Sequence, residues 1–402
     1  MSERGLAGAV RNEWAVRVTW PRRTRRLVRL YTEGQRRLAA QPLPPGRGDE
    51  LEYSEPLVTE GQRLARELVA AYDGKHAASG LRILLYVPPF GAGNVWLSDL
   101  AACLRHSGVA VETLAGLEPG WRDKLETFAP NVFMSHDMPD VLRFYDPDVV
   151  ADYKKRHGLF RFYAASNQGG MPPHVRLRPS DAWRLDLYRR GLSADVLFSH
   201  MHDDYVDLFL PAWRAAGVEY VSLPMAVNPM SLEPQVAAKD LDWALVSNNA
   251  DGGARAWLTE RYMSGMLSSY RGVLAGAGWG AAAPPLRHEE VPALMARARI
   301  SPNPRRDWAR QYRLDVGVKS FEAPALGCFV LESKLALLPQ FFADDEVVSA
   351  ADEREFMDKF HYYLVHVEER YAYLGRGMRR VFADHTYFQR VDELVDYLRT
   401  RV

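Results

Sequence analysis

The chain has 402 residues, 47% of them hydrophobic and 25% charged, with 51 basic and 51 acidic side chains. That length exceeds one typical core and fits two domains plus an extension. The balanced charge excludes a global field toward nucleic acid or a membrane surface. The lack of an 18-residue apolar run excludes a membrane span, and two cysteines, Cys103 and Cys328, exclude a disulfide framework or a cysteine-rich metal site. The opening MSERGLAG lacks a signal-peptide core, so a cytoplasmic protein is expected.

Residues 1–75 read as a helical, arginine-rich N-terminal extension. Seven arginines fall between Arg22 and Arg37, opposed only by Glu33, and a Pro/Gly-rich stretch follows. The pentapeptide Thr-Glu-Gly-Gln-Arg occurs twice, at Thr32–Arg36 and Thr59–Arg63. Threonine suits a helix N-cap and glutamate the first turn, so each copy is expected to open a helix. The arginine run reads as a solvated helix face packed on the next domain, with docking on an anionic partner as the alternative.

From Leu81 strands and helices alternate. Leu81–Val87 is an apolar strand, Pro88–Asn94 a loop, and Val95–His106 a helix with Trp96, Leu97, Leu100, Ala101 and Leu104 at helical spacing. Gly108 stands where a helix C-terminal glycine belongs, and Val109–Leu114 is the next strand. Further strands are expected at Asn131–Ser135, Leu159–Ala164, Asp195–Ser199 and Glu219–Leu223. A linker, Leu223–Pro229, leads to a second round. Its expected strands are Trp243–Ser247, Arg297–Ser301, Cys328–Leu331 and Glu346–Val348. Its expected helices are Ala254–Leu274, Glu289–Ala296, Ser320–Leu326, Asp352–Leu364, Glu368–Val381 and Tyr387–Arg399. The fold class is α/β: two doubly wound Rossmann-like domains, 76–225 and 226–402, facing a central cleft where such folds bind ligands.

Two loops carry chemistry. Gly91-Ala92-Gly93-Asn94 lies between a strand and a helix, where glycines let backbone approach a ligand and the helix start offers N–H groups to an anion. It is not the full dinucleotide fingerprint, because Trp96 takes the place of the third glycine; a plain tight turn is the alternative. In Lys319–Leu331, Glu322 sits early in a helix that enters an apolar strand, where a carboxylate is favoured and can accept from a ribose diol. A helix-capping glutamate would have the same sequence. Upstream, Asn303 ends a strand with an amide that can face the same cleft.

Residues 195–400 resemble group-1 GT-B glycosyltransferases, most closely the CgeB-like (spore-maturation-type) group. The resemblance rests on four ordered signatures: Leu223–Pro229 as the linker, Asp242–Asn249 as the strand and loop opening the second domain, Phe321-Glu322-Ala323 through Gly327, and His385-Thr386-Tyr387 with Arg390. It implies a nucleotide-sugar-dependent, hexosyltransferase-like enzyme. Glu322 would hold the donor ribose, and Asn303, Lys319 and Ser320 would line the nucleotide pocket. Arg255 or the Asn248-Asn249 turn would meet the diphosphate. Gly91 and Gly93 would form the glycine-rich first loop, and His136, followed by Asp137, would end a strand beside the acceptor. Two departures stand out: Leu314 replaces a sugar-contacting glutamate, and Lys319 replaces an arginine whose bidentate contact lysine cannot reproduce.

His136 and Asp137 are the catalytic candidates, His136 as acceptor-side base or orienter, with capping of the following helix Met138–Tyr145 as its structural role. His200 and His202 are rivals; His385 fastens the last helix, and Tyr362, Tyr363, Tyr371 and Tyr373 belong to the core. His200-Met201-His202-Asp203-Asp204 lacks helical His-x-x-x-His spacing, so no metal site is expected. The expected activity is metal-independent transfer of a sugar from a nucleoside diphosphate-sugar, used as co-substrate, to a hydroxyl or amine. The acceptor is a small molecule, glycan or protein, specialised metabolites among them, and the composition suggests a bacterial source. The alternatives are a catalytically degenerate partner protein, told apart by binding without turnover, and a nucleotide-sugar 2-epimerase, told apart by reaction of donor alone. The N-terminal extension either covers the acceptor site or mediates a homodimer.

Overall fold

The computed structural model describes residues 22–41, 48–89, 92–165, 179–249, 254–281, 283–305, 310 and 313–402. The chain divides into two compact units. One comprises the described residues of 65–231, 312–318 and 383–402, the other those of 1–64, 232–311 and 319–382. The division cuts across the expected boundaries at 75/76 and 225/226. The described part of the extension up to Leu64 groups with the second half of the chain, and the last helix groups with the first.

The first unit holds a six-stranded parallel sheet in the order β2-β1-β3-β4-β5-β6. The strands are β1 (Arg82–Val87), β2 (Ala110–Ala115), β3 (Val132–His136), β4 (Phe160–Ala164), β5 (Val196–Ser199) and β6 (Glu219–Ser222). Ile83, Leu84 and Leu85 are all buried, as a parallel strand covered on both faces requires. Helices Ala92–His106 and Tyr387–Arg399 share one core on this sheet, through Leu100 and Leu104 on one side and Val391, Leu394 and Leu398 on the other. Two of the sequence signatures meet here. Val227 donates to the His385 carbonyl at 3.1 Å, Tyr387 donates back to Val227 at 2.8 Å, and the Arg390 Nε reaches the Pro224 carbonyl at 3.2 Å. Thr386 and Gln389 form a capping box, so His385–Arg390 is a fastening, as expected for His385.

The second unit holds a five-stranded parallel sheet, β11-β10-β9-β7-β8, built from β7 (Leu241–Val246), β8 (Gly272–Ala275), β9 (Ala298–Asn303), β10 (Phe329–Ser333) and β11 (Val348–Ala350). Helix Ala254–Leu274 is corrected: it ends at Ser269, and Gly272–Ala275 is an edge strand. Packing decides this, because a Cβ at Gly272 would lie 2.0 Å from the Trp243 ring, so only glycine fits beside that indole. Tyr362 is also corrected, being 42% exposed and bonded to Glu369 at 2.7 Å, whereas Tyr363 and Tyr371 are buried.

The pentapeptide repeat does not open helices. Thr32 lies inside a helix over residues 22–39, its hydroxyl bonded back to the Val28 carbonyl at 2.8 Å, and Thr59 lies inside helix Leu51–Tyr72. What the copies share is a packing notch. A Cβ at Gly34 would meet Ser268 Cα at 2.5 Å and one at Gly61 would meet Met378 Sδ at 2.8 Å. The following glutamines donate to backbone carbonyls, Gln35 to Leu267 and Tyr270 and Gln62 to Pro234, each at 2.9 Å.

Candidate functional site

Both sheets reverse their strand order once, between β1 and β3 and between β7 and β9, and doubly wound sheets bind ligands outside the carboxyl ends of the strands at that point. In the second unit the strand ends there carry Asn248 and Asn249 after β7 and Asn303 on β9. Asn249 fixes the first of these turns: its Oδ1 accepts from Ala256 at 3.0 Å, satisfying a free N–H at the start of helix Ala254–Ser269. Its Nδ2 donates to Gly278 at 3.2 Å. The Asn248 Oδ1 accepts from Ala277 at 2.9 Å, and the Trp279 indole donates to Ser247 at 2.6 Å. Gly276, with φ at 137°, passes close enough to Ser247 to exclude any side chain. Arg255 spans the reversal from the other side, donating to the Pro304 carbonyl at 2.9 Å.

Glu322 lies in the short helix Lys319–Ala325 between β9 and β10, almost fully buried, with one oxygen, Oε2, held by Lys319 in an ion pair. Asn303 and Ser320 are brought together by a residue that the sequence reading passed over. Glu332, buried on β10 in register with Asn303, accepts from the Asn303 Nδ2 at 2.7 Å and from the Ser320 hydroxyl at 2.5 Å. The next residue, Ser333, accepts from the Arg305 N–H at 2.8 Å. Ser320 is fully buried, so its hydroxyl serves this network.

In the first unit Gly93 and Asn94 follow β1, the Asn94 amide donating to Pro88 at 2.6 Å; Gly91 lies outside the described residues. His136 closes β3. Its Nδ1 accepts the Met138 N–H at 3.3 Å, at the start of helix Pro139–Phe144, so in the neutral ring the proton sits on Nε2. Burial pushes its pKa down to about 4, with the Arg184 charge adding to the effect. Asp137 is buried and bound to the Arg184 guanidinium at 2.6 Å, which also holds Asp181 at 2.7 Å. Nothing in the sequence had pointed to Arg184. Of the rivals, His200 packs edge-on against Trp96, and the His202 Nδ1 accepts from Asp204 at 3.2 Å. Leu314 is buried, its carbonyl accepting from His202 at 2.6 Å.

The two sheets, their strand order and their switch points define the GT-B glycosyltransferase fold. The structure is similar to Anabaena HepE in complex with UDP and glucose, at 11% identity and TM-score 0.54, covering 79% of this chain and 99% of that one. It is similar to T4 phage BGT in complex with UDP and Mn2+ (9% identity, TM-score 0.52, covering 80% and 99%). Sucrose-phosphate synthase from Thermosynechococcus elongatus is a third likeness (12% identity, TM-score 0.51, covering 80% and 98%). Residues 255–396, which hold Arg255, Asn303, Lys319, Ser320 and Glu322, match the family described as Glycosyl transferase-like. No curated protein matches the chain. Among the described residues no helix is long and apolar enough to cross a membrane.

Proposed function

We propose that the chain is a glycosyltransferase that moves a sugar from a nucleoside diphosphate-sugar to a hydroxyl or amine of its acceptor, without a metal ion. What supports this reading is that Asn248, Arg255 and Asn303 stand at or beside the carboxyl ends of β7 and β9, where the strand order reverses, and that Glu322 follows in the short helix after β9, within or beside the segment that matches a glycosyltransferase family. Glu322 grips the ribose through Oε1, since Lys319 engages Oε2. Arg255 and Lys319 neutralise the diphosphate as the bond from the anomeric carbon to its oxygen breaks and the acceptor oxygen or nitrogen takes its place. His136 fits the orienter's role better than the base's, because its free nitrogen carries a proton and can only donate. Asp137 holds the β3 end in place through Arg184. UDP-sugars are the first donors to try, given the UDP complexes of HepE and of the phage enzyme. The CgeB-like assignment and a specialised-metabolite acceptor belong to the same reading.

The test is thermal unfolding with a panel of nucleoside diphosphates and their sugars, with and without Mn2+. A ligand bound only by the folded state raises the melting temperature with its concentration. A shift selective for one nucleotide, undiminished by chelator, is expected. No shift with any nucleotide would sink the reading, and a shift that requires Mn2+ would overturn metal independence.

A further inference from the structure

The arginine run has no part in the reading above, yet the structure gives it a defined shape. The helix over residues 22–39 is seated by buried Leu27 and Tyr31 and by the Gly34 and Gln35 contacts. Arg23 and Arg26 pair with Glu260, and Arg37 donates to the Ser268 carbonyl at 2.7 Å. Arg25, Arg29 and Arg36 are left facing outward, all exposed. Steps of four and seven residues keep these three within about 40° of one another around the helix. With Thr24, Thr32 and Trp279 they line a groove of about 360 Å³ whose single acidic lining residue among the described residues is Glu33, 4.0 Å from Arg29.

We propose that this groove binds a linear polyanion, a chain carrying phosphates along its length. Guanidinium forks take phosphate oxygens through paired N–H bonds. At the helical rise, Arg25 and Arg29 stand about 6 Å apart along the axis and Arg29 and Arg36 about 10 Å. A single phosphate cannot span that line; a chain can. The Thr24 hydroxyl, whose oxygen accepts from the Asn249 amide at 3.4 Å, adds a neutral donor beside the cations, whereas the Thr32 proton is spent on the Val28 carbonyl. An anionic bilayer fits less well. A helix that lies on a membrane sets exposed apolar side chains beside its basic ones. Here Leu27 and Tyr31 are buried in the protein, and the exposed Leu30 points about 120° away from the centre of the arginine stripe. The charge excess is local, since the whole chain is neutral, so binding depends on this stripe and on ionic strength.

The experiment uses the full chain with inorganic polyphosphate as the probe, orthophosphate as the short control and phosphatidylglycerol vesicles as the competing surface. Polyphosphate is expected to bind far more tightly than orthophosphate, with an affinity that falls steeply with salt as counterions are released. The triple variant R25Q/R29Q/R36Q is expected to bind polyphosphate about 30-fold more weakly and with a shallower salt dependence. Its melting temperature should not change, since the three side chains are exposed. Equal polyphosphate affinity in both proteins would overturn the proposal. So would arginine-dependent capture by vesicles in a protein that ignores polyphosphate. The variant changes none of the residues assigned to the nucleotide, Asn248, Arg255, Asn303, Lys319 and Glu322, so it should bind nucleotide as the parent does, and this outcome and that of the nucleotide panel are read separately.

Discussion

The two switch points solve the same problem in different ways. Around β7 and β9 the polar groups are laced sideways from one strand end to the next: Trp279 to Ser247, Arg255 to Pro304, Asn303 and Ser320 to Glu332, and Arg305 to Ser333. At the end of β3, order centres on one buried guanidinium, Arg184, which holds Asp137 and Asp181, with the Met138 N–H bonded to His136 beside it. Many weak cross-links spread the ordering over several residues, so that losing any one of them costs little stability. A single buried guanidinium gives a strand end whose position hangs on that one cation and its acids, because removing a partner leaves buried charge undercompensated.

The largest effect should therefore be one of folding, in the first unit. Asp137→Ala leaves the Arg184 guanidinium buried with Asp181 as its remaining described acid and should cost about 3–5 kcal/mol of stability. Adding Arg184→Met should recover part of that loss, because the buried guanidinium goes with it while Asp181 loses that contact. Denaturant unfolding of the two singles and the double measures both. A D137A protein that is as stable as the parent yet turns nothing over would make Asp137 a chemical group and erase the contrast between the two sites.

In the second unit the largest effect should be on ligand. Glu322→Ala removes the proposed ribose acceptor and should weaken donor binding about 100-fold, near 2.7 kcal/mol, with a smaller change in melting temperature. The Lys319 ammonium it frees is partly exposed and can hydrate. Calorimetric titration with the nucleotide found in the thermal panel checks it, and unchanged affinity in a folded variant would remove Glu322 from the pocket.

The third prediction follows from His136. A folded-state pKa near 4, below the ordinary 6.5, means that the unfolded chain binds the extra proton first as the pH falls. Stability is full above about pH 6.5 and declines through the window down to about pH 4, by about 2 kcal/mol between pH 7 and pH 5. His136→Asn should flatten that part of the profile. An unaltered acid limb in the variant would assign it to other groups.

The layering of both sheets is legible in the sequence because parallel strands buried on two faces are nearly continuous apolar runs. Ten of the strands fall within a few residues of such runs. β8 is not legible: four residues, Gly-Val-Leu-Ala, continue a helical pattern until Trp243, on a different strand, makes glycine obligatory. The repeat is legible as a repeat but not as a notch, since what each glycine touches is distant in sequence. His136, Asn303 and Glu322 can be found because strand ends and helix starts are local features. Arg184 cannot, since an arginine in an amphipathic helix reads as solvated until Asp137 is seen beneath it. Glu332 left a trace, a carboxylate directly after the apolar run Phe329–Leu331, at the end of a strand where doubly wound sheets place ligand-binding groups.

That trace is the basis of the smallest effect and the finest test of the comparison. Glu332→Ala leaves the Asn303 amide and the Ser320 hydroxyl without their shared acceptor, so the amide can turn and the start of the Lys319 helix can shift. Glu332→Gln keeps a carbonyl oxygen for both donors. If the pocket is rigid through its lacing, the alanine variant should raise the donor KM about tenfold, near 1.4 kcal/mol, with kcat close to the parent, because binding is disturbed and not the reacting atoms. The glutamine variant should restore most of the loss. A structural role alone would lower the melting temperature of both variants without separating KM from kcat. A KM unmoved by the alanine variant would mean that Asn303 contributes nothing to donor binding, and the second switch point would then rest on Glu322 and its lysine as narrowly as the first rests on Asp137 and its arginine.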